Sequence, residues 1–147
     1  MRSMSQSLST PPGDAEMLAY RTEIGTVRRF VAARARAAGL SARRVADLVI
    51  AVSELAANTL AHTRGAGTLT VWTTAEEIIC EVRDTGDLTT KHPGQTRPEP
   101  DQPGGGRGLW VVRQVCDLVE ISTDAPGALI RVHMQRHIPG PQAAGAR

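Results

Sequence analysis

The chain has 147 residues, 41% of them hydrophobic but only 3% aromatic, with 17 basic and 15 acidic residues and a net charge of +2. That length suits one domain whose core is built from aliphatic and alanine side chains. The charge balance argues against nucleic acid or an anionic membrane as the main partner. No apolar run nears the roughly 20 residues of a membrane span, and the N-terminus lacks a signal peptide's apolar core, so a cytoplasmic protein is expected.

Residues 1–13, ending in STPPG, and residues 138–147 read as flexible segments around a domain over 14–137. AEMLAY suits a short first strand. From Thr22 a helical pattern runs through Ile24, Val27, Phe30, Val31 and Arg34, with Gly39 as its stop. Ser41 is placed to cap a second helix whose apolar stripe is Val45, Leu48, Val52, Leu55 and Thr59; HTRGAG ends it. The period then changes to two. TLTVW alternates through Leu69 and Val71, and IICEVRD sets Ile78, Cys80 and Val82 against Ile79, Glu81 and Arg83 on its other face. TTAEE between them predicts a hairpin.

Residues 87–103 form a proline-rich stretch without periodicity, long enough to suggest a functional loop. Leu109, Val112, Val115 and Cys116 mark a third helix. Strands through Val119 and Ile121, then through Ala128, Ile130, Val132 and Met134, follow on either side of a DAPG turn. Each strand has one apolar and one mixed face, which calls for helices on one side only: a two-layer α+β sandwich.

Three segments carry candidate chemistry. In SELAANTLAH, Glu54 and Asn58 are four residues apart and project together beside the apolar stripe. In RDTGD, Asp84 falls at a strand end, and Gly86 lets backbone approach a planar ligand closely. GGGRGLW precedes a helix, where backbone N–H groups bind phosphate oxygens. It is not a P-loop, having no Lys-Ser or Lys-Thr pair, nor a dinucleotide loop, having Leu109 where a third glycine belongs. Singly, the three also read as a polar helix flank, a turn and a hinge. Elsewhere the signals are weaker. Cys80 and Cys116 lie in apolar surroundings without CxxC spacing and read as buried, reduced thiols, and His62, His92, His133 and His137 are too scattered for a zinc site.

Taken together and in this order, SELAANTLAH, DTG and GGGRGLW resemble the N, G1 and G2 boxes of the GHKL superfamily of ATPases and kinases. The small size resembles its anti-sigma-factor serine/threonine kinase branch, the switch-protein kinases. The resemblance spans roughly residues 20–135. It implies a Bergerat fold, with a mixed, mostly antiparallel sheet carrying helices on one face, and it implies ATP and Mg²⁺ as cofactors, with residues 87–103 as an ATP lid. It implies Asn58 as the Mg²⁺ ligand, Glu54 as the general base and Asp84 as acceptor from the adenine amino group, with Gly86 against the base. Gly104, Gly106, Arg107, Gly108 and Leu109 would meet the phosphates, and His62, one turn after Asn58, would line the phosphate end or satisfy helix-end carbonyls. Trp110 reads as a core or lid-anchoring aromatic, and Trp72 as packing or a partner surface. The chain departs from the family pattern at Leu88, Ala61 and Ala128.

Two functions stay open at this stage. One is a Mg-ATP-dependent kinase that phosphorylates an anti-anti-sigma (STAS-type) antagonist and so controls a sigma factor by partner switching. The other is a nucleotide-gated anti-sigma module that binds its partner without phosphoryl transfer. Homodimers are frequent in the family, and the apolar face of the first helix would support one. A nucleic-acid binder would need a basic cluster and an aromatic platform that the sequence lacks.

Overall fold

The computed structural model describes residues 3–5, 8–62, 66–84, 106–122 and 129–136. In chain order these form β1 (Ser3–Ser5), β2 (Glu16–Tyr20), α1 (Ile24–Ala37), α2 (Ala42–His62), β3 (Gly67–Thr73), β4 (Glu77–Asp84), α3 (Gly106–Val115), β5 (Leu118–Ser122) and β6 (Leu129–Gln135). The sheet runs β1-β5-β6-β4-β3-β2, antiparallel at every pairing except the short parallel one between β1 and β5. The two-layer α+β sandwich is therefore observed. The additional strand is β1, only three residues long and too short for a period to announce it.

The helix boundaries follow from local chemistry. Gly39 takes φ +90° and closes α1, with Leu40 N–H donating to the Ala35 carbonyl and Gly39 N–H to that of Arg36. This 6→1 and 5→2 pair is the Schellman stop, a left-handed conformation that glycine adopts without strain. Two residues on, the Ser41 hydroxyl accepts from Arg44 N–H at 3.2 Å and starts α2. The β3–β4 hairpin is held by Thr74, whose hydroxyl accepts from the N–H groups of Glu76 and Glu77, both at 3.1 Å.

Between the helices and the sheet lies the core. Val27, Val31 and Ala35 of α1 and Val45, Leu48, Val52 and Leu55 of α2 are buried, as the periodicity predicts. They pack on matched rows of strand residues: Leu18, Leu69, Val82, Ile130 and Ile121 in one row, Val71, Cys80, Val132 and Val119 in the next. The row at the open end of the sheet is different. It consists of Tyr20, Gly67 and Asp84, directly opposite one another on β2, β3 and β4.

The face away from the helices is polar in composition yet largely buried. Arg131 forks onto Glu81 at 2.6 and 3.0 Å and stacks 5.0 Å from the Trp72 ring centroid. His133 stands between Glu77 at 3.1 Å and Glu120 at 2.6 Å. Ser9 reaches this face, its hydroxyl and carbonyl both accepting from the Arg131 guanidinium. A buried charge pair of this kind persists only when its hydrogen-bonding capacity is filled, and Ser9 fills part of it.

Candidate functional site

Helix α2 carries Glu54 and Asn58 on the flank of its buried stripe. One turn of helix separates them, so both project toward the N-terminal end of α3. How close that end comes is measured by Gly108. A Cβ there would stand 2.8 Å from Glu54 Oε1 and 3.6 Å from Asn58 Nδ2. With Glu54 in this rotamer, only a glycine fits at position 108. The first four N–H groups of any α-helix lack intrahelical partners, and Gly108, within that first turn, stands beside a carboxylate and a carboxamide.

Asn58 Oδ1 is buried and has no hydrogen-bond partner among the described residues. An amide oxygen left that way loses solvation without compensation, and it is the hard neutral oxygen that Mg²⁺ prefers. The side chains present thus fit a magnesium ion held through Asn58.

Asp84 lies at the other side of the site. It is the last residue of β4, and its side chain is on the helix-facing side, 5% exposed. Thr59, the residue after Asn58, approaches the same row: a Cβ on Gly67 would be 3.0 Å from Thr59 Cγ2 and 2.5 Å from the Tyr20 hydroxyl oxygen. Helix α2 and Asp84 are thereby joined through Thr59, Gly67 and Tyr20. Burial pushes the Tyr20 phenol above its ordinary pKa; the neighbouring Thr59 hydroxyl opposes the rise and the Asp84 charge adds to it. The phenol is neutral at physiological pH.

Of the residues singled out from sequence, Glu54, Asn58 and Gly108 come together, and Asp84 joins them through Thr59. Leu109 is half-buried and packs its side chain against the core. Gly106 and Arg107 open α3 and His62 closes α2. Gly86, Gly104 and the lid at 87–103 lie outside the described residues. Trp72 is packed, as expected, but Trp110 is 61% exposed and is no core residue. On α3 and the residue after it the inward positions are Gly108, Val112 and Cys116, and position 110 lies well round the helix from Gly108 and Val112. Tyr20 and Gly67 were missed. The available signal was Gly67 itself, a glycine at the head of an alternating strand, which marks close approach by another group.

A sheet covered on one side by helices, with Glu54 and Asn58 of α2 beside the start of α3 and Asp84 at the end of β4, is the arrangement of a Bergerat-type domain. Residues 18–134 match the histidine kinase-like ATPase domain. The chain belongs to that family, the GHKL type, and is an ATP-binding, kinase-like domain. No curated protein sequence matches it. Among the described residues no helix is long and apolar enough to cross a membrane.

Proposed function

We propose that this protein is a cytoplasmic anti-sigma regulatory kinase, which transfers the γ-phosphoryl group of ATP to a serine or threonine of a STAS-type antagonist. What supports the reading most is the Glu54 carboxylate beside Asn58 at the start of α3, since a domain that only sensed nucleotide would need no base there.

In this mechanism Asp84 accepts a hydrogen bond from the adenine amino group. The N–H groups at the start of α3 bind phosphate oxygens, aided by the helix dipole. Asn58 Oδ1 would hold Mg²⁺, which when bound neutralises phosphate charge and orients the transferring group. Glu54 takes the proton of the attacking hydroxyl as its oxygen bonds to the γ-phosphorus and the bond to the β–γ bridging oxygen breaks, releasing ADP.

Calorimetry of ATP with and without Mg²⁺, on wild type, Asn58→Ala, Asp84→Ala and Glu54→Ala, paired with transfer of labelled phosphate to a STAS-type protein, tests this. Asp84→Ala loses nearly all binding and Asn58→Ala loses the metal dependence. Glu54→Ala binds ATP but transfers about 10²–10⁴-fold more slowly. Transfer at the wild-type rate by Glu54→Ala removes Glu54 as the base, while ATP binding by wild type without any transfer overturns the kinase reading in favour of nucleotide-gated partner binding. Equal ATP affinity in all four proteins overturns the site.

A further inference from the structure

Resting on that site assignment, one buried group remains unused by it. Tyr20 comes from β2, far in sequence from all three motifs, and is 3% exposed. Its hydroxyl oxygen is buried without a hydrogen-bond partner among the described residues. The Thr59 hydroxyl beside it donates to the Leu55 carbonyl at 3.0 Å and keeps acceptor capacity; its proximity opposes burial, which raises the phenol's pKa, but no well-formed hydrogen bond joins the two. A phenylalanine would fill the same space without a buried hydroxyl, whose desolvation is unfavourable unless it finds a partner.

The direction of the phenol is set by the row of Tyr20, Gly67 and Asp84. Tyr20 lies across Gly67, so that a Cβ at position 67 would fall 2.5 Å from its oxygen and 2.6 Å from ring carbon Cζ. Directly opposite residues of an antiparallel pair hold their Cβ positions about 5 Å apart. A hydroxyl standing over the Gly67 position is therefore one strand from the Asp84 side chain, within reach of its carboxylate directly or through one water. A carboxylate has about four acceptor sites, so Asp84 can take a hydrogen bond from Tyr20 and one from a purine amino group beside a contact it already makes.

We propose that Tyr20 is a positioning residue for base recognition: when nucleotide binds, its hydroxyl donates to the Asp84 carboxylate, directly or through one water, and holds the oxygen that accepts from the adenine amino group. Gly67 is the residue that makes this reach possible.

The test is calorimetry on the full chain with two ligands, ATP and the triphosphate of unsubstituted purine riboside, which lacks the amino group. Tyr20→Phe keeps the ring over Gly67 and so melts close to wild type. It binds ATP about tenfold more weakly and the amino-free analogue almost unchanged. Gly67→Ala, which drives the hydroxyl away, reproduces that selective loss. ATP affinity equal to wild type in Tyr20→Phe overturns the inference. So does equal loss for both nucleotides, which would make Tyr20 a packing residue only. The control is Asp84→Asn: if it leaves ATP binding intact, the site assignment itself fails and takes this proposal with it. If it abolishes binding while Tyr20→Phe is silent, only the role of Tyr20 falls.

Discussion

Gly108 is where the chemistry of the site and the geometry of the helices meet. Adding a methyl group there sets it 2.8 Å from Glu54 Oε1, too close for any real contact. The atom in the way is the end of a flexible side chain, so Glu54 swings aside and α3 keeps its place. The consequence separates function from folding. On the mechanism proposed above, Gly108→Ala should melt within a few degrees of wild type and retain ATP binding, yet lose phosphoryl transfer by about 10²-fold or more, because the proposed base would no longer address the hydroxyl. A melting curve and a transfer assay on the same preparation check both halves. A Gly108→Ala protein with full transfer activity would mean that Glu54 is not the base.

At the level of elements, α2 bears both the core stripe and the N-box residues, so its start has to be well defined for the site to have a fixed register. Ser41 supplies that start. Ser41→Ala should cost about 1 kcal/mol of unfolding free energy, read from a shifted urea midpoint with unchanged slope. The sheet has its own sensitive element in the pair Glu81 and Arg131, both under 5% exposed. Arg131→Met alone leaves the buried Glu81 carboxylate with only the more distant Arg83, at 3.8 Å, and should destabilise by about 3 kcal/mol, whereas joint replacement of Glu81 and Arg131 by apolar residues should recover most of that loss in equilibrium unfolding. These two cases also mark what a sequence can reveal. The cap at Ser41, the stop at Gly39 and the stripe of α2 are local patterns, and each was legible. Glu81 and Arg131 alternate with apolar residues as a solvated face would, and their burial depends on Ser9 arriving from far away in the chain. The same holds at the site. Glu54, Asn58 and Asp84 announce themselves by short motifs, while Tyr20 joins them only through the register of three strands, which turns and long-range pairing decide.

For the molecule as a whole, the alkaline side of the stability profile follows from an unusual composition. Lys91 is the one lysine and Tyr20 the one tyrosine, and the remaining basic side chains apart from histidine are arginines, which stay charged through this range. Few side chains therefore titrate between neutrality and pH 11, and three of them are buried: Cys80, Cys116 and Tyr20. Burial, with the neighbouring Cys116 as a second cause, pushes the Cys80 thiol far up. Cys116 is pushed up to about 12, again by burial first and by Asp117 next. Both thiols stay protonated in the folded state, while the unfolded chain releases those protons from about pH 8.5 upward. The stability they contribute is thus fully present below that value and lost as pH rises toward the folded values. Within that window each thiol removes about 1.4 kcal/mol per pH unit. Urea unfolding at a series of pH values should give a midpoint insensitive to these groups below pH 8 and falling steeply above about pH 9. Cys116→Ala should lower the plateau, through the cavity, and shallow the alkaline slope. Tyr20 supplies an independent readout in the same experiment, because it can ionise at its ordinary pKa only in the unfolded chain. Tyrosinate absorbance should then appear together with loss of helix. Ionisation of the phenol in a protein still fully helical would mean that solvent reaches the Tyr20–Gly67–Asp84 row without unfolding.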